Sequence, residues 1–291
     1  MKKLSILFAV VVLFIAVGFV QAEEAVQPAA AQPAPVVKDN GLHGYFDVTY
    51  ASRYIWRGFD LYNNNHGAIQ GTVDLDLFGS GFGINVLYSR STTGSFEDAQ
   101  WLVPTISYTN KFFADESYVT YYKVGWSFYD FPHNNKAAGF RGRDLNAQEV
   151  FGALWWPELL PWGLVPSYTI VCMWPDRSGS ATGDLTAGWA HIFGLGYDWV
   201  LPAVMPETKE QVIHLSAQAV YNDGVGPAPH HFKDGDNVDH DWSHAVFGAT
   251  TDFPITKSFV FIPGVYYQNT WDESVNSQDE FWVSLSLRYL F

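Results

Sequence analysis

The chain contains one cysteine, Cys172, which excludes an intrachain disulfide framework and a paired-cysteine zinc site. Charge is scarce: only 16% of residues are Asp, Glu, Lys or Arg, and 30 acidic residues outnumber 16 basic ones. A formal net charge of −14 disfavours nucleic acid as a partner, because phosphate backbones are bound by surplus Lys and Arg. Long apolar runs are missing beyond the amino terminus, so no later segment supplies the roughly 20 apolar residues of a membrane-spanning helix. A Gly-rich phosphate loop is absent, and no signature serine context accompanies His43, His66, His133, His191, His214 or His244. A hydrolase needs a nucleophile with a base in reach. An enzyme is therefore not expected, an envelope hydrolase is the weakest reading, and no cofactor is implied.

What the chain does have is aromatic residues, 17% of the total, spread through a sequence of near-neutral mean hydropathy. The apolar residues recur by alternation. In the last eleven residues Phe281, Val283, Leu285, Leu287, Tyr289 and Phe291 fall on one face of a strand, and Trp282, Ser284, Ser286, Arg288 and Leu290 on the other. A strand with one face in lipid and the other in a wet lumen has this pattern. Twelve such segments are legible, at about 43–53, 67–78, 81–90, 99–110, 117–129, 145–156, 164–174, 185–200, 210–222, 243–253, 258–268 and 280–291. Most approach the roughly 9–11 residues of a tilted membrane-crossing strand. Connections after even-numbered segments are short, and the others are longer and polar, the largest spanning 223–242. The expected fold is all-β: a transmembrane antiparallel up-and-down β-barrel of about 12 strands over residues 41–291.

The amino terminus sets the expected compartment. Lys2 and Lys3, an apolar run from Leu4 to Val20 and the Val20-Gln21-Ala22 site read as a signal peptide over residues 1–22. Residues 23–40 are rich in Ala, Pro and Gln and read as a disordered periplasmic leader. The expected location is the outer membrane of a Gram-negative bacterium, with both termini periplasmic. The outward phase takes Phe46, Val48, Tyr50, Ile69, Val73, Phe82, Ile84, Val86, Tyr122, Trp126 and Phe128, with Cys172 as a small lipid-facing hydrophobe and His191 at the interface. Aromatics such as Trp101, Trp155, Trp174, Trp199 and Trp242 gather near segment ends, as interfacial girdles do. Membrane lipid and lipopolysaccharide are the expected surroundings.

The inward phase supplies the candidate pore lining: Asp47, Gln70, Asp74, Asp76, Asn85, Lys123, Glu149, Asp198, His214, Gln218, Asp252 and Arg288, with His244 in the same phase. Gln148 competes with Glu149 for the inward place. Six acids (Asp47, Asp74, Asp76, Glu149, Asp198, Asp252) face Lys123 and Arg288, which predicts a small passive, porin-like channel that prefers cations. The alternative is a non-conducting structural or adhesive barrel whose loops bind a partner. In that reading the carboxylates pair with Lys123 and Arg288 and hold a closed core together. The His230-to-His244 segment, with Asp234, Asp236, Asp239 and His240, is a candidate divalent-cation site in the 223–242 loop, although its spacing matches no defined motif.

Two resemblances add to this. The ending resembles the closing strand of outer-membrane barrels, which implies that Tyr289 and Phe291 belong to a signal read by the barrel assembly machinery. Ser52, Tyr54, Arg57 and Gly58, followed by Ala68, Ile69, Gln70 and Gly71, resemble the Gcw_chp family of proteobacterial envelope proteins of unassigned function. That likeness implies an outer-membrane barrel and supplies no substrate. Trp56-Arg57-Gly58 itself reads as an interfacial Trp, a snorkelling Arg and a Gly for the bend.

Overall fold

A computed structural model describes residues 41–62, 66–94, 100–132, 146–176, 187–203, 209–226 and 238–291. The signal and leader segments, 1–22 and 23–40, lie outside the described residues. The strands are β1 (Leu42–Ala51), β2 (Ile55–Trp56), β3 (Phe59–Asp60), β4 (Ala68–Leu77), β5 (Phe82–Ser91), β6 (Trp101–Phe112), β7 (Thr120–Tyr129) and β8 (Ala147–Trp155). They continue with β9 (Val165–Pro175), β10 (Gly188–Pro202), β11 (Glu210–Asp223), β12 (His240–Thr251), β13 (Phe253–Pro254), β14 (Phe259–Thr270) and β15 (Glu280–Leu290). Twelve of them, all but the short β2, β3 and β13, pair in sequence order as an antiparallel barrel. Their ends agree with the alternating segments of the sequence to within three residues.

The barrel closes by pairing β15 with β1, from Tyr45 opposite Leu290 to Ala51 opposite Ser284. Phe291 extends that seam: its N–H donates to the Gly44 carbonyl, and the Gly44 N–H donates to the Phe291 carbonyl, both at 3.1 Å. Closure removes the exposed strand edges that would otherwise template aggregation. The outer face carries the apolar stripe expected of it, with Phe46, Val48, Tyr50, Phe82, Ile106, Phe193, Phe247, Phe281, Leu285, Leu287 and Phe291 exposed. Cys172 shares that face with Ile170 and Trp174. His191 does too, and its Nδ1 lies 2.8 Å from the Tyr168 hydroxyl.

Short connections at one end join β4–β5, β6–β7, β8–β9, β10–β11 and β12–β14. At the first, Ser80 N–H donates to the Leu77 carbonyl at 3.1 Å, and Phe78 and Gly79 both take positive φ, 61° and 62°. That is the pattern of a two-residue turn whose twist matches a hairpin. The opposite end carries the longer connections. One irregularity matters there: His244 pairs with Val220 and Trp242 with Tyr221, so Ser243 is an extra residue in β12. The bulge lets Trp242 face outward while His244, two residues on, faces in, which simple alternation forbids.

Candidate functional site

The lumen is divided along its length. In the short-turn half many inward side chains are polar and half-buried or exposed, including Tyr45, Asp74, Asn85, Lys123, Asp198, His214, Ser286 and Arg288, with Val200, Val212, Val260 and Ile262 in the same phase. In the long-loop half the inward side chains are buried and many are apolar (Leu87, Trp101, Val103, Tyr129, Phe151, Val171, Met173, Ala190, Ile192 and Val220), with Gln70, Glu149, Gln218, His244 and Gln268 buried among them. A barrel of twelve strands is too wide for wall side chains alone to fill. The missing volume comes from the first long connection, which folds inward.

That connection builds a hairpin of its own. Ile55 pairs with Asp60 and Trp56 with Phe59, and the Leu61 N–H donates to the Tyr54 carbonyl at 3.0 Å. Arg57 and Gly58 at its tip have φ of 47° and 90°, so both central residues are left-handed, as a type I′ turn requires. Tyr54, Ile55, Trp56, Arg57, Phe59, Leu61 and Tyr62 are all buried. Trp56 and Tyr54 meet the edge of Trp101 at centroid distances of 5.5 and 5.7 Å, and Trp101 packs on Tyr129 at 5.4 Å. Edge-to-face packing of this kind adds roughly 0.5–1.5 kcal/mol per pair beyond area burial. The reading of Trp56 as an interfacial residue and Arg57 as a snorkelling one is therefore overturned. Both are inside the barrel because an unfilled wide lumen lined by Trp, Phe, Val and Ile needs an apolar occupant.

Arg57 is held by charge. Its Nη2 donates to Glu149 Oε2 at 2.6 Å, the Tyr129 hydroxyl donates to the same oxygen at 2.8 Å, and the guanidinium lies 4.7 Å from the Trp56 ring centre. With Glu149 only 1% exposed, both charges are out of water, where an ion pair persists only if well matched and hydrogen-bonded. Glu149 faces inward, and Gln148 faces outward, accepting from Trp126 Nε1 at 3.2 Å. Around the tip, the Gly58 carbonyl accepts from Gln268 Nε2 at 2.8 Å and Asn276 Nδ2 at 3.2 Å. A side chain at residue 58 would strike Val275 and His244, since a Cβ there lies 2.6 Å from Val275 Cγ1 and 2.7 Å from His244 Nδ1. Arg53 forms a second ion pair with Glu280, which also accepts from Asn276 and Gln278.

The other residues expected to line a pore fall into three groups. Gln70 and Gln218 are buried in the plugged half with Glu149. Asp47 is buried but paired: Arg288 Nε donates to it at 3.1 Å and the Thr49 hydroxyl at 2.6 Å, while the Arg288 guanidinium sits 4.2 Å over Tyr45. The rest border the wetter half. Asp74 accepts from Asn85 Nδ2 at 3.0 Å, Asp198 lies 2.8 Å from His214 Nδ1, and Asp76 accepts the Gly79 N–H at 3.0 Å. Asp252 is exposed at the rim, between β12 and β13. Lys123 faces in beside Thr109, its β6 partner, and Lys111 shares that phase nearer the rim.

Of the candidate cation ligands, Asp234 and Asp236 lie outside the described residues. Asp239 donates its N–H to Ser274 Oγ at 2.9 Å, and His240 pairs with Asp223. No group of three metal-ligating side chains occurs among the described residues. At the seam, Tyr289 and Phe291 are exposed on the outer face with ring centres 6.1 Å apart, and Tyr289 also meets Phe259.

No protein-family model matches the chain. No curated protein matches it either. Among solved structures it is similar to an outer-membrane channel from Pseudomonas putida F1, at 10% identity and a TM-score of 0.52, over 92% of this chain and 100% of that one. It is also similar to the NanC porin, at 9% identity and a TM-score of 0.50, over 84% of this chain and 98% of that one. At such identities the likeness is one of fold: the chain has the closed antiparallel barrel of outer-membrane porins and channels.

Proposed function

We propose that the protein is a porin-like barrel of a Gram-negative outer membrane, exported by a signal peptide over 1–22, with both termini periplasmic. Its lumen is a narrow pathway for small solutes that prefers cations. The observation that carries this reading is the charge of the wetter half. Asp74, Asp76, Asp198 and Asp252 outnumber the inward lysines Lys111 and Lys123, of which Lys123 lies within electrostatic reach of Asp74, while Asp198 meets His214. An acidic surplus between low-dielectric walls concentrates counter-ions. Pairing of Asp47 with Arg288 and of Glu149 with Arg57 narrows the acidic surplus without reversing it. The likeness of residues 52–71 to the Gcw_chp family accords with an envelope location. Assembly through Tyr289 and Phe291 is part of the same reading.

The test is conductance of the purified protein in planar bilayers under asymmetric salt. Reversal potentials of cation-selective sign are expected, weakening in Asp74→Asn/Asp76→Asn and at high ionic strength. Anion preference contradicts the reading. A second reading, a non-conducting structural barrel, is favoured by the buried hairpin in the long-loop half. A barrel that is folded and stays silent after the hairpin has been removed would establish it.

A further inference from the structure

Resting on the conducting reading above, we propose that the hairpin of β2 and β3 is a displaceable gate, latched by the Arg57–Glu149 ion pair.

Three features point to movement and away from a permanent core. The hairpin forms a two-stranded sheet separate from the barrel sheet, so it can leave without breaking any rung of the wall. Its tip is ionic where an apolar tip would serve a fixed plug at least as well. A buried ion pair contributes little net stability over a packed apolar pair, because desolvation offsets the attraction. It does change what happens on opening: the separated guanidinium and carboxylate regain water, whereas an apolar tip would expose greasy surface. The third feature is the turn. Its first central position favours Asn, Asp or Gly, yet it holds Arg at a φ of 47°, and unlike the exposed Phe78, at 61° in the β4–β5 turn, Arg57 is buried with its place imposed by contacts. The imposing contacts are Glu149, Tyr129 and the Trp56 ring below the guanidinium, with Gln268 and Asn276 on the Gly58 carbonyl. Tyr129 and Glu149 lie on adjacent strands of the wall, β7 and β8, and the donors to Gly58 lie across the lumen, in and after β14. The latch thus spans the bore.

Single-channel recording on four refolded proteins tests the gate, with heat-modifiable electrophoretic mobility as the check on folding. The wild type is expected to be closed most of the time. Glu149→Gln leaves Arg57 buried against a neutral partner and should raise open probability by about tenfold or more. Arg57→Met/Glu149→Leu, which restores an apolar contact, should return it close to the wild-type level. A short Gly/Ser linker in place of residues 55–60 should leave the channel open throughout. If Glu149→Gln does not fold, Tyr129→Phe removes one of the two donors to the carboxylate and should give a smaller rise. Equal open probability in the wild type and the linker variant, both conducting, overturns the gate and leaves the conducting reading standing. A folded linker variant that passes no current overturns the conducting reading, and the gate with it. Open probability unchanged by Glu149→Gln, with the linker variant open, overturns the latch.

Discussion

The two halves of the lumen are built from the same strands and are filled by opposite means. In the long-loop half, inward positions hold Trp101, Val103, Phe151, Val171 and Ile192, and the hairpin packs among them. In the short-turn half the same strands turn inward Lys123 from β7 and Asp198 from β10, and Asp198 is 41% exposed. An ion pair accordingly plays a different part in each. Arg57–Glu149 is sealed, with side chains 3% and 1% exposed, whereas those of the Asp198–His214 pair are 41% and 23% exposed. Desolvation makes a sealed pair costly to break singly, and water makes an open pair nearly indifferent.

The comparison is tested most severely in the plug. Trp56→Ala removes a fully buried ring and should cost about 3–5 kcal/mol, read as urea unfolding in lipid vesicles. Glu149→Ala should cost a similar amount, about 3–5 kcal/mol, because it strands Arg57. Asp198→Ala, at the water-exposed contact with His214, should cost at most about 1 kcal/mol. Similar losses at Glu149 and Asp198 would erase the distinction between the halves. Gly58→Ala comes next: a left-handed backbone and a Cβ pressed on Val275 should cost about 1–3 kcal/mol, and protease cutting within residues 52–62 should accelerate. Asp74→Asn/Asp76→Asn should shift stability by no more than about 0.5 kcal/mol while reducing cation preference.

The smallest expected effect lies outside the lumen. The Asp279 carboxyl is held below its ordinary value of 3.8, first by the Tyr267 hydroxyl and then by the Thr270 N–H, both of which donate to it. A depressed carboxyl contributes stability that is complete above its ordinary value and is lost as pH falls through the lowered one. Hydrogen exchange in the 271–279 loop should therefore quicken on acidification below that ordinary value, and Asp279→Asn should remove the step.

The wall was legible in the sequence, and the plug was not. Strand register follows from period-two alternation, and Phe281-to-Phe291 shows it plainly because one side faces lipid along its whole length. Tyr54-to-Tyr62 carries aromatics, a cation and a glycine that suit an interfacial loop as well as a plug. What decides between them is a partner 92 residues away, Glu149, which no local pattern reveals. A clue was nevertheless present. Near the long-loop ends the strands are apolar on both phases, as in Trp101-Leu102-Val103, Ile170-Val171-Cys172-Met173 and Trp189-Ala190-His191-Ile192-Phe193. An aqueous lumen along its whole length would have made one phase polar. His244 was assigned to the inward phase from the 243–253 segment, and the Ser243 bulge breaks the alternation only on its amino-terminal side.

Thiol accessibility across the lumen tests the two-halves account most directly. In a Cys172→Ser background, single cysteines at Ser286 and Thr250 sample the short-turn half, and single cysteines at Val103 and Ala190 sample the long-loop half. Modification of the folded barrel by a small, charged, water-soluble thiol reagent should be rapid at Ser286 and Thr250. At Val103 and Ala190 it should be slower by about a hundredfold, because opening a region buried by a few kcal/mol limits the reaction. Equal rates at all four positions would show a continuous aqueous bore and contradict the plug.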